Sequence, residues 1–160
     1  MMNRKSPEHD LQKRCVSWFK YQYPHLFRLF FSVPNGGSRN KAEAGRLKAE
    51  GMNPGVADLI LLVPNYYYHS FNIEMKAGSK QSEDQKIYET FCQKAGNQYV
   101  VCKSFEQFKS IIEDYLSCMN SSTILTLKSV HKAFEEAKVM KAKEKYKELC
   151  NKTKKDHESK

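Results

Sequence analysis

Two acids lodged in apolar runs constrain this chain most. Asp58 heads the aliphatic run Leu59–Val63, and Glu74 sits sixteen positions later between Ile73 and Met75. Ala57–Val63 reads as a strand that is apolar almost throughout, the pattern of burial on both faces. Ser70–Lys76 reads as the next strand. Its period of two puts Asn72, Glu74 and Lys76 on one face and Phe71, Ile73 and Met75 on the other. Carboxylates seldom enter such strands without a partner, because an unpaired buried charge is costly. Lys76 already shares a face with Glu74. Two acids and a lysine on adjacent strands suit a hard divalent cation. Mg²⁺ fits oxygen ligands of this number, with water and phosphate completing its octahedron, and Mn²⁺ can replace it. That is the apparatus of metal-assisted phosphodiester hydrolysis. Singly, the same residues have plainer roles. Glu74 and Lys76 also fit a surface ion pair on a half-exposed strand, and Asp58 also fits a strand-start turn.

Around these strands the pattern alternates. Residues 7–22 carry an apolar stripe of Leu11, Cys15, Trp18 and Phe19, with Pro7 at the first helical position and Ser6 placed to cap it. Leu26–Val33 reads as a strand and Lys41–Glu50 as a short helix. Ser82–Ala95 reads as a helix closed by Gly96, Gln98–Lys103 as a strand, and 104–118 as a helix. Adjacent strands early and alternation late define an α/β fold, with a mixed central sheet flanked by helices. After a linker at 119–123, Leu127, Val130, Phe134, Ala137 and Met140 recur at three- and four-residue steps, which gives one lysine-rich helix. From Cys150 onward the composition predicts disorder. The expected organisation is one domain over 1–118 and a C-terminal basic helical extension over 119–160.

Charge narrows the function. The chain has 27 Lys and Arg against 18 Asp and Glu, a net +9, which favours an anionic partner, nucleic acid before membrane. Residues 121–160 hold 11 basic and 6 acidic residues (+5), and residues 1–120 hold 16 and 12 (+4). The extension can lie on nucleic acid, cover the domain or pair with a second copy. No run approaches membrane-spanning length. Five cysteines without a CxxC pair or zinc spacing fit reduced thiols in a cytoplasmic, intracellular protein.

Other candidates carry double readings. Glu8 and Gln12 lie one turn apart on the first helix; Glu8 can supply a third acid, or simply favour the helix dipole. Gln85 completes a capping box with Ser82, yet it also sits one turn before Tyr88 on a stripe continued by Phe91, Cys92 and Ala95, from which it can reach the strand bearing Lys76. The turn Asn35, Gly36, Gly37, Ser38, Arg39, with Lys41, Arg46 and Lys48 close behind, suits phosphate oxygens; it also reads as a plain turn before a solvated helix. Tyr66, Tyr67, Tyr68 and His69 fit packing near a hairpin better than stacking on bases.

In order, these motifs resemble the VRR-NUC family of the PD-(D/E)XK nuclease superfamily, in its stand-alone phage and bacterial form. The matching residues are Glu8 and Gln12, Val33–Gly37, Gly51, Gly55–Leu59, Ile73–Ala77, Gln85, Gly96 and Tyr99–Lys103, over roughly residues 6–117. The resemblance implies a restriction-endonuclease-like fold and Mg²⁺-dependent cleavage of DNA. Asp58 and Glu74 would bind the metal with the Met75 carbonyl as a further ligand. Lys76 would be the catalytic lysine, Glu8 the acid of the first helix, and Gln85 the glutamine beyond the core. Similarity to Holliday-junction resolvases implies branched DNA and a homodimer. Ala57 stands where the family usually has proline, a backbone-shaping position and not a ligand. The expected function is a Mg²⁺-dependent DNA endonuclease. The rivals are a non-catalytic DNA- or partner-binding protein on a nuclease-like fold, and an RNA-directed nuclease of the same chemistry.

Overall fold

In the computed structural model, residues 7–34, 41–119 and 121–158 are described, with backbone alone at 41–44, 121 and 149–158. Two compact units divide between Thr123 and Ile124. The first begins with helix α1 (Pro7–Gln22), a 3₁₀ turn (Phe27–Leu29) and strand β1 (Phe30–Ser32). Then come α2 (Lys41–Ala49), β2 (Leu59–Leu61), β3 (Phe71–Met75), α3 (Glu83–Lys94), β4 (Gln98–Cys102) and α4 (Phe105–Ser117). The strand expected over Leu26–Val33 is halved. After Pro24 the chain winds into a tight turn, Leu26 N–H donating to Tyr23 O at 3.0 Å and Leu29 N–H to Leu26 O at 2.8 Å. Ladder pairing therefore starts only at Phe30.

The sheet has the order β1-β2-β3-β4. Its first two pairings are antiparallel and the β3–β4 pairing is parallel, so it is the mixed sheet the alternation predicts. Aromatic packing covers one face. Phe19 meets Phe30 at 4.2 Å between ring centroids, Trp18 meets Phe108 edge-on at 5.9 Å, and Phe71 stacks on Tyr115 of α4 at 4.7 Å. Helix α3 covers the other face, where Cys92, Tyr99 and Ala57 form a second small core with Tyr88 and Val101 against it. Burial of Cys15 and Cys92 pushes their thiols up to about 12 and about 11, which leaves them inert as nucleophiles.

Three expectations shift. Burial on both faces belongs to β3, where all five residues are buried, because helices cover it from both sides; Leu62, in the run expected to be covered, is 50% exposed. On α3 the inward stripe is Gln85, Tyr88 and Cys92, while Phe91 is 70% exposed and Ala95 is also exposed. Tyr66 and Tyr67 are not packing residues. They are 66% and 67% exposed on a turn that the Asn65 side chain closes by accepting from Tyr67 and Tyr68 N–H at 2.9 and 2.8 Å.

The second unit is a continuation of helix α5 (Ser121–Glu158). Its helical backbone runs past Cys150, where composition alone predicts disorder. Residues 121–158 contain neither Gly nor Pro, and the Lys and Glu that lower mean hydropathy are good helix formers. Pairs such as Lys138–Glu135 at 2.9 Å add a little along the helix. Among the described residues no helix is long and apolar enough to cross a membrane.

Candidate active site

The antiparallel register builds the site. Leu59 pairs with Ile73 and Ile60 with Asn72, so one step further the ladder sets Asp58 opposite Glu74, the spacing at which cross-strand side chains touch. Asp58 Oδ2 accepts the Met75 N–H at 2.8 Å, which fixes this carboxylate against the end of β3. The Asp58 and Glu74 carboxyl groups are within hydrogen-bonding reach of each other.

Glu74 is 0% exposed. Its Oε1 meets Lys76 Nζ at 3.0 Å and accepts a hydrogen bond from Gln85 Nε2. Its Oε2 accepts from Tyr99 OH at 3.4 Å. Lys76 is 9% exposed. The surface-pair reading of Glu74 and Lys76 is thereby excluded: they form a buried pair on one face, as the period of two predicts. Burial, then the nearby Asp58 charge, pushes Glu74 up to about 7, with Lys76 pulling the other way. Burial also raises Asp58, against the Met75 N–H and Lys76, which favour its charged form. Tyr99 is raised by burial and by the Glu74 charge.

Of the two flanking residues with double readings, Gln85 meets both, whereas Glu8 is engaged by the loop after β3. Gln85 closes the capping box, with Ser82 N–H donating to its Oε1 at 2.8 Å and its own N–H donating to Ser82 Oγ at 3.3 Å. Its remaining amide nitrogen reaches Glu74. Glu8 stands in the first turn of α1 and also crosses to the loop after β3. There Oε1 accepts from Ser79 Oγ at 2.5 Å and from Ala77 N–H at 3.3 Å. The Ser79 bond, working against burial, and then the Ala77 bond hold Glu8 below the usual carboxylate range. Glu8 acts electrostatically on Asp58. Among the described residues, however, no three His, Cys, Asp or Glu side chains gather as a metal-ligand group.

The glycine of the Gly55–Asp58 motif has a packing reason. Gly55 has φ +77°, and a Cβ there would lie 2.3 Å from the Asp84 backbone and 2.7 Å from Gln85 N. Only glycine lets this turn press against the start of α3, which sets Gln85 over Glu74.

The donor set fits a hard cation. Buried Glu74 and half-buried Asp58 lie side by side, and the Asp58 charge raises the proton affinity of Glu74, a repulsion that a bound cation would relieve. Of the residues expected to hold phosphate, Asn35, Gly36, Gly37 and Arg39 lie outside the described residues, and Lys41 is described only as the start of α2. Arg46 and Lys48 are exposed on α2, Arg46 pairing loosely with Glu50 at 3.7 Å. The tyrosine turn is at the opposite end of β3 from Lys76. Sequence reasoning missed Tyr99 and Ser79 as partners of the acids. Tyr99 depends on a parallel register (Asn72 beside Tyr99) that no local pattern encodes.

No protein-family model matches the sequence, and no curated protein matches it. Among solved structures, the chain is similar to one described as a VRR_NUC domain protein. The two superpose with a TM-score of 0.64 at 26% identity, over 74% of this chain and 94% of that one. The mixed sheet flanked by helices is thus a VRR_NUC-type, nuclease-like fold, in which half-buried Asp58 adjoins the buried Glu74–Lys76 pair.

Proposed function

We propose that this protein is a Mg²⁺-dependent DNA endonuclease of the PD-(D/E)XK type. The observation that carries the reading is the fully buried Glu74, ion-paired to Lys76 at 3.0 Å and in contact with Asp58. An ordinary core has no use for three such groups at one strand end. Asp58, Glu74 and the Met75 carbonyl would hold Mg²⁺, or Mn²⁺ in its place. When bound, that ion neutralises charge on a phosphate and acidifies water.

The chain's own residues do the rest. Asp58 is held in register by the Met75 N–H. Gln85 and Tyr99 fix the two oxygens of Glu74 so that it does not rotate away. Lys76, nearly desolvated, lies within reach of a phosphate at the same strand end; it orients the attacking water or stabilises charge developing on the phosphate oxygens. Glu8 holds the 77–79 loop and adds negative charge at the site's edge. The basic stretch from Asn35 to Lys48 would steady the DNA backbone. A preference for branched DNA and a homodimer, whose symmetry allows paired cuts, rest on the resemblance in motif order.

The test is cleavage of labelled four-way, flap and linear DNA with Mg²⁺, Mn²⁺ or EDTA, alongside Glu74→Ala and matched RNA. Metal-dependent nicking of DNA that vanishes in Glu74→Ala is the expected result. DNA binding without metal-dependent cleavage would make the protein a non-catalytic binder, and preference for the RNA would move the substrate.

A further inference from the structure

Lys76 opens onto a cleft that the motif residues do not describe. Its volume is about 310 Å³, and Lys76, Ser79, Lys80, Gln81, Lys86 and Lys103 line it. Its position follows from topology. Strands β3 and β4 are parallel, Lys76 follows the end of one and Lys103 the end of the other, so both emerge at the same edge; the carboxyl ends of parallel strands are where open α/β sheets take ligands. The bond from Lys76 N–H to Cys102 O at 2.9 Å ties the two exits together.

The walls are fixed. Ser79 is held by Glu8. Gln81 Nε2 donates to Glu89 at 2.9 Å. The Lys103 N–H donates to Gln107 Oε1 at 2.8 Å. The charges are not balanced. Lys86 is paired with Glu83 at 2.7 Å, but among the described residues no carboxylate pairs with Lys80 or Lys103. Two uncompensated ammonium groups in a concave cleft attract anions. The cleft is at the small end of ligand pockets, roughly 300–1,000 Å³, which suits one strand's phosphates and not a whole duplex.

We infer that Lys80 and Lys103, with Lys86 at the margin, form a phosphate track that grips the DNA backbone beside the phosphate to be cut. Its place beside a scissile phosphate rests on the proposed nuclease activity; its grip on the backbone does not. The contacts are to phosphate alone, so the track supplies affinity and register without sequence preference.

The experiment measures binding of fluorescein-labelled duplex DNA by anisotropy in EDTA across a salt series, then steady-state cleavage in Mg²⁺. The proteins are wild type, Lys80→Ala/Lys103→Ala, Lys80→Arg/Lys103→Arg and Lys20→Ala/Lys94→Ala, the last a charge-matched pair that does not line the cleft. Each phosphate contact contributes about 0.9 to the slope of log K against log salt. The Lys80→Ala/Lys103→Ala slope should therefore shrink by about two and its KM rise several-fold with kcat little changed, while the arginine pair and the control pair stay near wild type. Thermal melts check that these exposed substitutions leave the fold intact. A slope and KM equal to wild type in Lys80→Ala/Lys103→Ala, or an equal loss in the control pair, overturns the track. If wild type does not cleave yet Lys80→Ala/Lys103→Ala loses slope, the nuclease reading falls and the track stands. If wild type cleaves and Lys80→Ala/Lys103→Ala is unaffected, the reverse holds.

Discussion

Glu74 illustrates how a single residue links stability to function. Folding carries its carboxyl from an ordinary 4.5 to about 7, so between those values the folded state binds a proton that the unfolded state has released. Stability from this group is then full below pH 4.5 and is lost as pH rises through 7, a loss on the order of 3 kcal/mol. Metal-free protein should melt at lower temperature at pH 8 than at pH 5.5, and Glu74→Gln should flatten most of that slope. A cation reverses the trend, because its ligands must be deprotonated. Mn²⁺ should therefore raise the melting temperature more at pH 8 than at pH 6, and equal shifts would argue against carboxylate ligation. Lys76 tests the chemistry more directly. Lys76→Met keeps the stem and removes the charge, and cleavage should fall about 10²–10⁴-fold, the usual loss for a proton-transfer group, with DNA affinity in EDTA largely kept.

Among the elements, α3 is the one whose placement makes the site. Its first turn is pressed against Gly55, whose φ of +77° and 2.3 Å approach to the Asp84 backbone leave no room for a methyl. Gly55→Ala should cost more than the roughly 1–3 kcal/mol of a strained backbone position alone, because the obstructing atoms are backbone and cannot rotate away. Gly51→Ala is the comparison: φ is +95° with nothing within 4 Å of the added carbon, so strain is its whole penalty. A lower melting temperature and weaker cleavage in Gly55→Ala than in Gly51→Ala is the expected order. Helices α1, α3 and α4 and strands β3 and β4 were legible in the sequence because caps, stripes and a period of two announce them. Two faces differ from the local pattern for reasons that pattern does not contain. Phe91 is apolar but projects beyond the edge of the small core under α3. The strand run of 57–63 is covered less than β3, since coverage depends on where helices dock and not on hydropathy.

For the molecule as a whole, the sequence located the central site better than its surroundings. Asp58, Glu74 and Lys76 were visible as charges in apolar runs, and the Asp58–Glu74 approach follows once the hairpin register is known. Tyr99, Ser79 and the Lys80–Lys103 cleft were not visible, because they meet the site through a parallel crossover and a loop return. Charge is similarly split. The net +9 divides into +4 over residues 1–120 and +5 over 121–160, so over half the excess lies in the last quarter of the chain. The aromatic core through Phe19, Phe30, Phe71 and Phe108 belongs entirely to the first unit. A chain ended after Thr123 should still melt cooperatively. If α5 lies along nucleic acid, that shortened chain should bind DNA with a shallower salt slope, about 0.9 less per lost phosphate contact, and turn over saturating substrate at an unchanged kcat. An unchanged slope would remove DNA from the helix's partners. Its stripe of Leu127, Val130, Phe134 and Ala137 would then point to a second copy, and sedimentation would show a dimer of the full chain become a monomer on truncation.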